Sequence, residues 1–164
     1  MFDMAWVDDG GFEKRMTELD RRIESITHAG YTVSLIGASA GASAALVGYE
    51  RNKSRIHAVV TLCGALGPSN SIGQTVYKVN PRFEEAMLRL PAAVQSLAPD
   101  DLRRILNAYA KQDSVLGEEH TVLAGAQYLR LPIKGHMLGV AYGLLIGVRT
   151  FVAFVRKLPE KSVV

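Results

Sequence analysis

The stretch Tyr31-Thr32-Val33-Ser34-Leu35-Ile36-Gly37-Ala38-Ser39-Ala40-Gly41 decides how the rest of the chain is read. Its first six residues are apolar and β-branched enough for a strand. The residues that follow, 42–50, are rich in alanine and suit a helix. Between them, Gly37-Ala38-Ser39-Ala40-Gly41 has the G-x-S-x-G spacing of a sharp strand-to-helix turn that lifts a serine hydroxyl out of a sheet. Glycines suit such a turn because helix and neighbouring strand approach its backbone, where a Cβ would clash. Short Gly/Ser/Ala strings are common, so the weight of this one rests on its position between strand and helix and on its partners downstream.

Upstream, 2–7 reads as the end of a strand and 8–11 as a turn. Phe12, Met16, Leu19, Ile23 and Ile26 then recur at helical spacing, which predicts an amphipathic helix over 12–28 ended by Gly30. Downstream, 56–62 is apolar throughout and predicts a strand buried on both faces. Residues 64–74 are rich in Gly, Pro, Ser and Asn and read as a loop. Asn80-Pro81 reads as a helix start, with Pro91 and Pro99 expected to cut the region into short helical pieces. Two more strands are expected over 105–110 and 127–133, and a buried apolar helix after His136. Strands alternating with helices predict an α/β fold with a mostly parallel sheet and helices on both faces. The 164 residues fit a single domain spanning 1–164. No linker or repeat divides it, and the loop and short helices over about 65–101 are expected to form a small cap.

Composition narrows the function. Lys and Arg are scattered and the net charge is only +3, so the basic stripe of a nucleic-acid-binding surface is missing. The single Cys63 excludes an internal disulfide and, within an apolar run, reads as a small buried hydrophobe. The start carries Asp3, Asp8 and Asp9 rather than a basic, then apolar, leader. The apolar run 137–148 meets Arg149 before it reaches the ~20 residues of a membrane span. The expected location is the cytoplasm. No set of His, Cys and carboxylates has metal-ligand spacing, and neither a dinucleotide fingerprint nor a P-loop is present, because Ser39 replaces the middle glycine and no Lys follows. No cofactor and no metal are expected.

Two residues stand where acyl-transfer chemistry needs them. Asp113 follows the 105–110 strand and His136 follows the 127–133 strand. In a parallel sheet the carboxyl ends of all strands share one edge, where ligands bind, so Ser39, Asp113 and His136 are expected to converge. A serine hydroxyl is a poor nucleophile until an imidazole takes its proton. A carboxylate on the other ring nitrogen fixes the tautomer and stabilises the imidazolium. His28, His57 and His120 are weaker candidates: the first suits a helix C-terminus, the second a strand, the third a loop.

The chain resembles the α/β-hydrolase superfamily, of serine esterase and lipase type. The matching pieces are Leu35 to Gly41, Ile56 to Leu62, Ala110 to Val115 and Leu131 to His136. The resemblance covers roughly residue 31 to the end. It implies Ser39 as nucleophile, Asp113 as orienting acid, His136 as general base, and the N–H of Ala40 as one oxyanion-hole donor. The activity implied is cleavage of an ester or related acyl bond in a small-molecule acyl substrate through an acyl-Ser39 intermediate. Met87, Leu90, Leu97 and Leu138 are expected to line the acyl pocket. The departure is N-terminal: family members carry further strands before the serine turn and a His-Gly loop that supplies a second donor. The chain therefore reads as an N-terminally shortened member, as a piece of a longer protein, or as one whose second donor comes from elsewhere. A sheet cut there has an exposed edge, from which a homo-oligomer is expected. The alternative reading is a hydrolase fold without turnover, used as a binding or assembly module.

Overall fold

The computed structural model describes residues 1–8 and 10–159 of the chain, apart from the side chains of 71 and 118. Its strands are β1 (Val33–Ala38), β2 (Ile56–Leu62), β3 (Ile105–Lys111) and β4 (Gln127–Lys134). They form one sheet in the order β1-β2-β3-β4, and every neighbouring pair is parallel. Parallel neighbours need a crossover. α2 (Gly41–Arg51) links β1 to β2, and α3 (Gln74–Val79), α4 (Pro81–Gln95) and α5 (Pro99–Leu102) lie between β2 and β3. α1 (Phe12–His28) precedes β1; α6 (His136–Tyr142) and α7 (Val148–Lys157) follow β4, joined by a π-helical turn over Gly143–Gly147.

The helices divide between the two faces. Phe12 and Met16 of α1, Leu46 of α2 and Met87 and Leu90 of α4 meet Val33, Ile56, Val59 and Ile105 in one buried cluster. Phe151 of α7 joins Val60, Leu62, Leu106, Ala108, Ala110 and Leu131 in the other. β2 lies between them and is buried at every position, as its unbroken apolar run predicts. β1 is a sheet edge, and Ile36 on it is 47% exposed.

Four sequence expectations need correction. Residues 2–7 form no strand: the Asp3 carboxylate captures the N–H of Ala5 at 2.8 Å, the N–H of Asp8 closes a turn onto Ala5 O at 3.0 Å, and Ala5 is left-handed at φ 48°. A local side-chain bond of this kind competes with strand pairing. Asp9, in the turn expected next, lies outside the described residues. Pro91 does not end a helix; it sits on the exposed side of an unbroken α4. There the buried row Phe83, Ala86, Met87, Leu90 and Ala93 outweighs the lost helical hydrogen bond. Met87 and Leu90 are consequently core residues rather than pocket lining. The helix after His136 is not buried: Met137, Leu138, Leu144, Leu145, Ile146, Val148 and Val152 are all exposed.

That last helix runs unbroken from His136 to Lys157, 22 residues of mean hydropathy 1.9. By length and composition it is long and apolar enough to cross a membrane, yet one side of it is seated on the sheet. A Cβ on Gly139 would lie 2.6 Å from Ala110 Cβ and 2.8 Å from Cys63 Sγ. Helix propensity alone favours alanine over glycine by about 1 kcal/mol, whereas overpacking costs about 1–3 kcal/mol. Gly139→Ala is therefore expected to lower the urea midpoint at unchanged slope. Leu145→Ser, on the exposed side, is expected to leave stability within about 0.5 kcal/mol. A stabilised Gly139→Ala protein would refute the close contact.

Candidate active site

The register brings Ala38 beside Leu62 and Leu62 beside Ala108, so the carboxyl ends of β1, β2 and β3 lie along one edge. Ser39 follows β1 in the left-handed region at φ 51°. Its N–H donates to Leu62 O at 2.9 Å, and its carbonyl accepts from Ala42 N–H at 3.1 Å and Ala65 N–H at 3.3 Å. These bonds hold a conformation that costs a non-glycine residue about 1–2 kcal/mol. Gly37 makes the turn feasible, because a Cβ there would stand 2.3 Å from Gly41 O. Ala40 is the N-cap of α2, and its carbonyl accepts from the Ser43 hydroxyl at 2.8 Å.

Asp113 sits two residues beyond β3. Its Oδ1 accepts the N–H groups of Val115 and Leu116, both at 2.9 Å, and its Oδ2 lies 2.8 Å from His136 Nδ1. The other ring nitrogen, Nε2, lies 2.9 Å from Ser39 Oγ. The side chain of Asp113 is 1% exposed and that of His136 6%. A buried carboxylate is tolerable only when its oxygens are satisfied, and here two backbone donors and an imidazole satisfy them. An ionised Asp113 has only lone pairs to offer. The Nδ1 of a neutral ring then carries the proton, and Nε2 is left to accept from the Ser39 hydroxyl. A hydroxyl arranged in this way can be deprotonated as it attacks an electrophile.

The supporting loops are tied down by backbone and buried side-chain bonds. Gly135 N–H donates to Lys111 O at 2.9 Å, locking the residue before His136 to the end of β3. Buried Asn107 donates to Thr61 Oγ1 and accepts Leu123 N–H, both at 2.8 Å, so the sheet interior holds the loop that carries Asp113. Leu66 N–H donates to His120 O at 2.8 Å and links the loops after β2 and β3. The remaining histidines stand apart: His28 ends α1, His57 Nε2 lies 3.1 Å from Val155 O, and His120 lies 3.6 Å from Glu119 Oε1. Cys63 is buried beside Gly139, and burial pushes its thiol up to about 11; a backbone hydrogen bond at Ala110 opposes the shift and the Asp113 charge adds to it.

A hollow of about 300 Å³ opens beside the serine. Ser39 and Ala40 border it together with Trp6, Ile72, Val76, Phe83 and Leu116. Leu97 packs on the core and Leu138 faces solvent, so neither lines it. Within 65–101, Ala65, Ile72, Gly73, Val76, Asn80 and Phe83 reach the hollow, whereas most of α4 packs on α2. Sequence reasoning missed Trp6 and Phe83, because nothing local marks a lone tryptophan in an irregular segment as part of a site.

Solved structures of lipases and other hydrolases have a similar fold. A monoacylglycerol lipase from Paleococcus ferrophilus aligns over 89% of this chain and 76% of its own, with a TM-score of 0.57 at 14% identity. A hydrolase from Oleispira antarctica aligns over 90% and 72%, with a TM-score of 0.58 at 12% identity. A structure of the metagenome-derived lipolytic enzymes LipS and LipT aligns over 90% and 74%, with a TM-score of 0.61 at 13% identity. The chain has the α/β-hydrolase fold. At the level of sequence no family model and no curated protein matches it. Within this α/β-hydrolase fold, β1 is the strand before the serine turn, and no strand pairs with its outer side among the described residues.

The strained turn makes a stability prediction. Replacing Ser39 by glycine relieves the left-handed backbone, while replacing it by alanine does not. After the greater unfolded-state freedom of glycine is deducted, Ser39→Gly is expected to exceed Ser39→Ala by ~1 kcal/mol in urea unfolding. Equal midpoints would mean that the turn stores no strain.

Proposed function

We propose that this chain is a serine hydrolase that cleaves an ester or related acyl bond of a small-molecule substrate through an acyl-enzyme on Ser39. The observation that supports this best is the unbroken chain of bonds from Asp113 Oδ2 to His136 Nδ1 (2.8 Å) and from His136 Nε2 to Ser39 Oγ (2.9 Å). His136 takes the hydroxyl proton as Oγ bonds to the acyl carbon. The carbonyl oxygen gathers negative charge and is received by the N–H of Ala40 at the N-terminus of α2, where the helix dipole favours an anion. The imidazolium faces Asp113. The tetrahedral species then expels the alcohol, which leaves with the proton from His136. Water, deprotonated by the same nitrogen, attacks the acyl-Ser39 ester and frees the acid. The apolar hollow beside Ser39 suits an acyl chain, and the lipolytic activity named for similar folds is consistent with that choice.

A fluorophosphonate probe tests the reading directly. The parent is expected to label, and Ser39→Ala to lose labelling. Asp113→Asn, which favours the wrong tautomer, is expected to lower turnover of a short-chain ester on the order of 10⁴-fold. An unlabelled parent, or labelling unchanged in Ser39→Ala, would leave the fold as a binding or assembly module, a reading that the open outer side of β1 among the described residues favours.

The same open edge supports self-association as part of the proposal. Unpaired N–H and C=O groups on a strand edge invite a second chain, and antiparallel pairing of β1 with a second copy of itself satisfies both. Sedimentation at micromolar concentration is expected to give a dimer that Ile36→Lys dissociates. A monomeric parent would overturn this.

A further inference from the structure

Arg82, in the first turn of α4, is among the largest fully buried side chains, with only 2% of its side chain exposed. Desolvating a guanidinium is expensive unless it is paired and hydrogen-bonded. Among the described residues its partners all lie in one short irregular segment: Nη1 donates to Met4 O at 3.1 Å and Ala5 O at 2.9 Å, and Nη2 pairs with Asp8 Oδ2 at 2.9 Å, while the buried Nε has no partner among them. Arg82 and the segment 4–8 therefore stabilise each other, since neither satisfies its polar groups alone. The segment has no regular structure of its own and holds Ala5 in the left-handed region.

The segment presents Trp6. The indole meets Phe83 edge-on, with ring centroids 5.9 Å apart at 74°, and Phe83 meets Tyr77 at 5.5 Å. Trp6 and Phe83 line the hollow together with Ser39, Ala40, Ile72, Val76 and Leu116. Phe83 adjoins Arg82 on α4, so one turn of helix supplies both the clamp and the aromatic backing. Large aromatic walls set what an apolar pocket accepts, because a change of one or two methylenes changes transition-state binding by roughly 10–200-fold.

We infer that the segment 4–8 is a clamped wall of the acyl site: Trp6 is the residue that limits acyl chain length, and Arg82 is the positioning residue that holds it there. This rests on the hydrolase reading for its substrate, but the wall itself is testable without turnover. Trp6 is the only tryptophan in the sequence, so intrinsic fluorescence reports on the wall alone.

The first arm uses the Ser39→Ala protein titrated with decanoic acid. A saturable change in tryptophan emission is expected; an emission that does not respond overturns the inference, whether or not the parent is an esterase. The second arm compares kcat/KM for p-nitrophenyl acetate and octanoate. Trp6→Ala is expected to raise the octanoate-to-acetate ratio at least about tenfold, mainly through KM. Arg82→Met is expected to shift the ratio the same way and move Trp6 emission to the red, and Arg82→Lys to restore both in part. A Trp6→Ala protein with the parental ratio overturns the assignment of Trp6. If Arg82→Met fails to fold, Asp8→Ala, which removes the ionic partner and leaves Arg82 in place, decides: a parental ratio and parental emission there would reduce Arg82 to a packing residue. If no ester is turned over while emission still responds to decanoate, the wall stands and the hydrolase reading falls.

Discussion

At Gly37 the backbone of β1 passes so near the start of α2 that no side chain fits between them. The crossing forces the chain to reverse within two residues, and Ser39 absorbs the reversal in a left-handed conformation. Everything at the site is referred to that point. Ser39 N–H is bonded to the last residue of β2, and Ser39 O receives the N–H of Ala65 in the loop that follows. The position of the hydroxyl is therefore set by two strands rather than by a flexible loop. Loosening the crossing would move the hydroxyl relative to His136, and a hydrogen bond loses most of its strength within a few tenths of an ångström and a few tens of degrees.

The second requirement is electrostatic. Asp113 is buried at the heart of the arrangement, and a buried carboxylate without partners would protonate. The N–H groups of Val115 and Leu116 occupy one oxygen, which leaves the other for His136. The loop supplying those N–H groups is anchored in turn by Asn107, deep in β3, through Leu123 N–H. The acid is thus supported through backbone groups and one buried amide, none of which carries a formal charge.

Much of this was legible in the residues, and the limits are instructive. α1 was readable because Phe12, Met16, Leu19 and Ile23 mark one buried stripe. β2 was readable because burial on both faces leaves no polar alternation. The convergence of Ser39, Asp113 and His136 followed from strand ends in a parallel sheet, a topological argument that needs no side-chain geometry. What local sequence could not show was tertiary. The partners of Arg82 lie more than 70 residues away in the chain, so its helix start concealed a buried clamp. Pro91 was misjudged because packing against α2 overrode a local rule. The helix after His136 was misjudged because its apolarity suggested burial all round, whereas Gly139, Gly143 and Gly147 mark the one side that is buried. The segment 2–7 is short and apolar and so reads as a strand end, but a strand needs a neighbour to pair with, and here Asp3 bonds the backbone locally instead.

His136 arrives late in the chain, on the helix that follows the last strand of the sheet. The serine turn needs only β1, α2 and β2, but His136 is delivered only when β4 has found β3. Parallel pairings between distant segments are among the slower events of folding. A growing or half-folded chain therefore exposes a serine with no imidazole beside it, chemically as inert as any surface alcohol. The bond between His136 and Ser39 can form only once the sheet is complete, so its presence reports that all four strands have assembled.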